Sequence, residues 1–357
     1  MFIFIIWRCD VKNKLKRFLH KFFKIFIIFM LATLALNLVI FIALYINHKG
    51  KLQNESGYLV PPGQMVDVNG HDIHVMCGGE EESDKVLVFL HSENVYDDSI
   101  ALQPMLSELK GCRYVYIDRS GYGFSDNSGS SKEIGDILKE TRTVLETLGI
   151  EGPYTLVSMG TSGILAFYWA NTYPEEVESI IGVNMNYPEQ FEGIPEEQYC
   201  GIFEYILVLA CKVGAHRMVD SGPVNPYGIY SQKQMSVRNA LYGKGAYTSD
   251  MYNEALNTID NADKVTKMGF PEETPIYLIC ANPLMEPYVN DEADIKARYE
   301  EAMEENSEVD YVAEYNKSIK DYMAEYKNVI IDEMSGPERI YLYDYKGLAD
   351  KINIYIQ

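Results

Sequence analysis

Two serines, Ser158 and Ser162, bracket Gly160 where a short apolar run with strand character (residues 154–157) gives way to a run with helical spacing (from residue 163). A hydroxyl on such a strand-to-helix turn is a nucleophile when a neighbouring base takes its proton. Here the apex falls on Gly160. Glycine accepts the left-handed backbone angles an apex requires, but it has no side chain with which to attack a carbonyl. Ser162 and Ser158 are the fallback nucleophiles, and each fits poorly: Ile164 stands two residues after the first, Leu156 two residues before the second. Both hydroxyls also suit a structural or capping role.

A base is the second requirement. The six histidines are His20, His48, His71, His74, His91 and His216, and none follows His216. The six cysteines are scattered with no CxxC spacing, so no metal site and no cofactor is expected. The formal charge of -21 is divided: residues 1–24 carry seven basic groups against Asp10, whereas residues 51–357 carry 23 basic and 51 acidic groups. So acidic a body excludes nucleic acid as a partner, because phosphate recognition needs a positive surface.

The surrounding elements alternate. Residues 64–68 and 71–77 read as a hairpin about Asn69-Gly70, a type I′ turn signal. Residues 85–90, 113–117, 154–157, 179–183, 275–280 and 328–332 read as strands. Helical stretches fall near 99–110, 134–148, 162–173, 290–326 and 347–355. This rhythm predicts a mostly parallel sheet covered on both faces. The irregular, helix-rich segment at about 187–270 reads as an inserted cap, with residues 203–213 as its most apolar helix.

In order, the lead-in at 61–77, KVLVFLH, YIDRSGYGFSD and YTLVSMGTSG resemble the α/β-hydrolase superfamily, particularly its proline-iminopeptidase-like and haloalkane-dehalogenase-like members. The likeness implies an α/β-hydrolase fold with a catalytic site that is degenerate here. Its nucleophile position corresponds to Gly160, with Thr161 offering a backbone N–H to the oxyanion. The oxyanion loop corresponds to His91, Ser92, Glu93 and Asn94, both family glycines being replaced. The triad acid would follow residues 275–280 or 179–183, where no immediate carboxylate stands; Glu286 and Asp291 are the nearby candidates. The base position corresponds to Arg339, which stays protonated and cannot accept a proton. The motif from Asp118 to Asp126 is intact and implies a scaffold turn beneath the pocket.

Residues 25–46 form an apolar stretch of 22 residues, long enough at helical rise for a hydrocarbon core of about 30 Å. The basic residues before it favour an N-terminus-inside orientation. The expected organisation is a basic cytoplasmic segment (1–24), a transmembrane helix (25–46), a linker (47–60) and an α/β-hydrolase-like domain (61–357) outside the cell membrane. The expected function is that of a non-catalytic, single-pass membrane protein. Its expected partners are the lipid bilayer and either a small apolar ligand or a protein. The alternative is a serine hydrolase of ester or peptide substrates with a displaced nucleophile.

Overall fold

The turn Asn69-Gly70 sets the first hairpin: both residues have positive φ (55° and 89°), as a type I′ turn requires. It joins β1 (Gln64–Val68) to β2 (His71–Gly79) in antiparallel register, Val68 opposite His71. The strands that follow are β3 (Val86–Leu90), β4 (Arg113–Ile117), β5 (Tyr154–Met159), β6 (Val177–Val183), β7 (Ile276–Asn282) and β8 (Val329–Ser335). In this computed structural model, which describes residues 2–93, 95–219, 222–225, 228–282 and 309–357, they form one sheet in the order β1-β2-β4-β3-β5-β6-β7-β8. Beyond the antiparallel β1–β2 and β2–β4 pairs, all pairings are parallel.

Strand β3 shows why the sheet is buried on both sides. All five of its residues are buried. Its period-2 alternation sends Val86, Val88 and Leu90 to one core and Leu87 and Phe89 to the other. Helices cover these faces. The chain opens with α1 (Phe2–Glu55), exposed from residue 16 to residue 43, and the covering helices begin with α2 (Asp98–Ala101), α3 (Gln103–Leu106), α4 (Ile134–Thr147) and α5 (Gly163–Thr172), with α6 (Glu196–Tyr199) opening the cap. The cap continues with α7 (Ile202–Val213), α8 (His216–Val219), α9 (Gln232–Gly245) and α10 (Ser249–Thr266). The C-terminal helices are α11 (Val309–Met323), α12 (Ile340–Tyr343) and α13 (Tyr345–Tyr355).

The cap is held by its own helix signals. Ser231 caps α9, accepting from Gln234 N while Gln234 Oε1 accepts from Ser231 N, a reciprocal capping box. Thr248 Oγ1 caps α10 by accepting from Met251 N (3.1 Å). Ile259, Ala262 and Val265 of α10 join the core on one face of the sheet, so this cap helix is fixed to the α/β body.

Two expectations change. The stretch 47–60, read as a linker, is mostly helix: α1 runs unbroken to Glu55 and a 3-10 turn, Ser56–Tyr58, follows before Pro61-Pro62. Its polar composition hid a stripe in which Leu44, His48, Leu52 and Glu55 are covered to different degrees while their neighbours stay exposed; that spacing is one helix face. The helical stretch near 99–110 is two short helices, the second opening with Gln103-Pro104, where a proline fits a first turn. Of the region 290–326, residues 290–308 lie outside the described residues. Among the described residues, one helix, α1, is long and apolar enough to cross a membrane by length and composition.

Candidate functional site

Strand β5 delivers the chain to Gly160, which opens a 3-10 turn (Gly160–Ser162) running directly into α5. Gly160 has φ +53°, a left-handed conformation that resists any residue with a Cβ. The neighbouring space is also taken: a Cβ on Gly160 would lie 2.6 Å from Ser92 Oγ and 3.0 Å from Ser92 Cβ. The volume that a nucleophile's side chain would enter is thus filled by Ser92, reaching across from the loop after β3.

The fallback serines are turned the other way. Ser162 Oγ lies 2.7 Å from Leu90 O and 2.9 Å from Met159 O, and accepts from Met159 N (2.9 Å). Ser158 Oγ and Ser162 Oγ are 2.9 Å apart, and both residues are buried. These hydroxyls pin the strand-to-turn junction. The turn is braced from the segment after β6 as well, Asn186 N donating to Gly160 O (2.9 Å).

The amides where an oxyanion would be held have internal partners. An oxyanion hole on this turn takes the N–H after the nucleophile and an N–H from the loop after the first buried strand. Thr161 N is directed at Ser92 Oγ (3.4 Å), and Glu93 N donates to Thr161 Oγ1 (3.0 Å), with Ser92 Oγ and Thr161 Oγ1 3.2 Å apart. Ser92, Glu93 and Thr161 therefore close a small ring of hydrogen bonds over Gly160. Asn94 lies outside the described residues.

His91 is fully buried. Its Nδ1 donates to Ser92 O (2.7 Å) and its Nε2 accepts from Arg119 N (3.2 Å). Burial first, then the Arg119 charge, lowers its pKa to about 3, so the ring is neutral. It shapes the loop and has no free nitrogen for a substrate.

The rest of that loop clamps the cap. Glu93 accepts from Thr258 Oγ1 of α10 (3.0 Å) and from the Tyr199 hydroxyl of α6. Burial, reinforced by the Glu254 charge, raises its pKa to about 7. Asp97 pairs with Arg238 of α9 (2.6 Å), and Asp98 accepts from the Tyr341 hydroxyl of α12 (3.0 Å). Burial raises Asp98 to about 7 against the pull of Arg339. From the core side, Arg119 donates to Glu254 of α10 (2.5 and 3.4 Å) and to His91 O (2.7 Å). Among the described residues, the space between elbow and cap lined by Glu93, Arg119, Thr161, Ser162, Glu254 and Thr258 among others holds a cavity of about 30 Å³. That is room for about one water, against several hundred Å³ for an ordinary ligand pocket.

The remaining positions are structural or distant. Asn184, at positive φ, accepts from Ala281 N (2.6 Å) and donates to Glu338 O, tying the turn after β6 to β7 and to the loop after β8. Arg339 is exposed in that last loop, just before α12. Tyr341, Asp98 and Asp97 deepen its preference for the charged state. Glu286 and Asp291 lie outside the described residues. Asp118 accepts from Phe124 N (3.1 Å) and the Tyr116 hydroxyl (2.9 Å) and pairs with His74 (2.7 Å). Burial opposes its charge, but the His74 contact and the Phe124 N–H hold its pKa below the usual range. The sequence missed Arg119, Glu254, Thr258 and Tyr199; the one signal was that Arg119 sits inside the intact Asp118–Asp126 motif.

Comparison with known proteins agrees with this architecture. A family model described as alpha/beta hydrolase fold matches residues 85–199. The uncharacterized protein YbdG of Bacillus subtilis is 28% identical over 268 residues, covering 72% of this chain and 80% of that protein. The AB hydrolase superfamily protein YfhM, from the same organism, is 28% identical over 134 residues, covering 37% of this chain and 46% of its own length. Among solved structures, a probable hydrolytic enzyme from Pseudomonas aeruginosa superimposes with a TM-score of 0.51 at 15% identity, over 82% of this chain and 93% of that one. The chain has the α/β-hydrolase fold: a largely parallel sheet with helical insertions, preceded by one apolar helix long enough to span a membrane.

Proposed function

We propose that this protein is a single-pass membrane protein that uses the α/β-hydrolase fold without acyl-enzyme chemistry, and that the loop once suited to an oxyanion now fastens the cap. On this reading α1 spans the cell membrane with its basic N-terminus in the cytoplasm and the acidic domain outside. The observation that carries the proposal is the ring over Gly160, in which Ser92 Oγ fills the apex and both oxyanion-type amides already have partners. Acyl transfer needs those donors free and aimed at a developing charge, and a base within reach. Among the described residues the space between elbow and cap holds little volume, which supports a protein partner over a small apolar ligand there.

The second reading is hydrolysis of esters or peptides by a displaced serine. Solved structures of similar fold support it, among them a probable hydrolytic enzyme and carboxylesterases. Its best geometric support lies at Ser92, whose Oγ occupies the nucleophile's place beside Thr161 N, more than at Ser158 or Ser162. A fluorophosphonate probe on the purified full chain separates the two readings. No covalent labelling is expected; labelling abolished by Ser92→Ala, Ser158→Ala or Ser162→Ala would establish the hydrolase.

A further inference from the structure

Cap helix α7 turns its apolar side outward. Val208 and Cys211 face the body and are buried, and Val213 is buried at the end of the helix, whereas Ile202 (74% exposed), Phe203 (63%), Ile206 and Leu209 are exposed; Tyr205, also exposed, leans its ring toward Tyr252 of α10 (5.5 Å). Positions 202, 205, 206 and 209 recur at the three- and four-residue intervals of one helix face, so they form a continuous stripe that ends at the exposed Lys212. The next helix adds Met218 (72%). A soluble surface seldom carries so contiguous an apolar patch without something to cover it.

The position of α7 says what covers it. The end of α1 docks on the C-terminal end of this helix. A Cβ at Gly214, the residue that terminates α7, would lie 2.6 Å from His48 Cβ, and the His48 and His216 rings are 5.9 Å apart. One turn further, Arg217 grips Glu55 through two hydrogen bonds (2.7 and 2.6 Å). From Lys16 to Ala43 every residue of α1 is exposed; Leu44, one turn before His48, is the first to be partly covered. The folded body therefore begins at the last turn of the apolar span, and the C-terminal end of α7, where the stripe ends, lies beside it.

We infer that α7 lies in the interfacial layer of the bilayer that α1 crosses, with Ile202, Phe203, Ile206 and Leu209 against lipid and Lys212 reaching toward the headgroups. The inference rests on the reading of α1 as a membrane span. The bilayer is the occupant because the end of the stripe-bearing helix packs on the end of the span, so a second protein chain covering the stripe would have to fit in against the membrane edge. The strongly acidic body gives no electrostatic attraction to anionic lipid, so contact depends on apolar burial and is insensitive to salt. The second contact fixes the cap's orientation on the membrane, which a single helical tether would not do.

The test uses the full chain in phosphatidylcholine vesicles made with or without brominated acyl chains, which quench nearby tryptophan. Phe203→Trp is compared with Ile40→Trp inside the span and Ile330→Trp on the exposed edge strand β8, after subtracting the emission of Trp7 and Trp169. A side chain buried at the headgroup–acyl boundary is expected to lose roughly half its emission, Ile40→Trp at least as much, and Ile330→Trp none. Quenching of Ile40→Trp without quenching of Phe203→Trp would overturn the inference and leave the span standing. An unquenched Ile40→Trp would overturn the span and the inference with it. A blue-shifted but unquenched Phe203→Trp would mean that protein covers the stripe, which also overturns it.

Discussion

Gly160→Ala tests whether Ser92 holds the apex. Two costs are expected. An L-residue at φ +53° is strained by roughly 1–2 kcal/mol. The new Cβ also overlaps Ser92 Oγ at 2.6 Å, an overpacking that costs about 1–3 kcal/mol. In a Ser92→Gly background the second cost disappears, because the next atom near that Cβ is Asn186 Oδ1 at 3.9 Å; the backbone strain remains. A double-mutant cycle should therefore return a coupling of about 1–3 kcal/mol, well above the few tenths expected of independent sites. For a domain of this size that is a difference of several degrees in Tm. It is read by thermal unfolding of the four full-length proteins, with the fluorescence of buried Trp169 as signal. Equal losses from Gly160→Ala in both backgrounds would refute the claim that Ser92 fills the nucleophile's place.

Two further outcomes follow from the cap contacts. The Glu93 carboxyl is raised from 4.5 to about 7 by burial and by Glu254, so its contribution to stability is full below pH 4.5 and is lost as pH climbs through 7. At about 1.4 kcal/mol per tenfold change in proton affinity, the loss reaches roughly 3–4 kcal/mol. Glu93→Gln should accordingly raise Tm at pH 8 relative to wild type and change it little at pH 4.5; an equal effect at both pH values would contradict the assignment. Arg119→Ala strands the Glu254 carboxylate and should destabilise the protein by about 3–5 kcal/mol, while Arg119→Ala with Glu254→Ala costs less than the sum of the two single changes. Strict additivity in thermal melts would show that the pair does not hold the cap.

Much of the fold is legible locally. Asn69-Gly70 specifies the hairpin because its turn needs two positive φ angles. The run at 86–90 specifies a central strand because every residue is apolar. Gly160 is legible as an apex because it falls between a strand pattern and a helix pattern, flanked by small residues. The contents of the site are not legible in the same way. Ser92 and Thr161 are 69 residues apart, Arg119 and Glu254 are 135 apart, and Glu93 and Thr258 are 165 apart. No periodicity reports such pairings; they depend on how the cap folds back over the sheet. The same limit explains residues 47–55. Their composition is that of a linker, and their helical state becomes intelligible once His48 and Glu55 are seen packed on α8 and the end of α7.

The central claim is that the elbow performs no acyl transfer, and covalent labelling tests it most directly. The full-length protein is incubated with a fluorophosphonate probe beside an active serine hydrolase as positive control, and labelled peptides are located by mass spectrometry. The account predicts labelling of the control and none of this chain, at Ser92, Ser158 or Ser162 alike. Stoichiometric labelling at Ser92, lost in Ser92→Ala, would contradict it and make the residue that fills the apex the nucleophile.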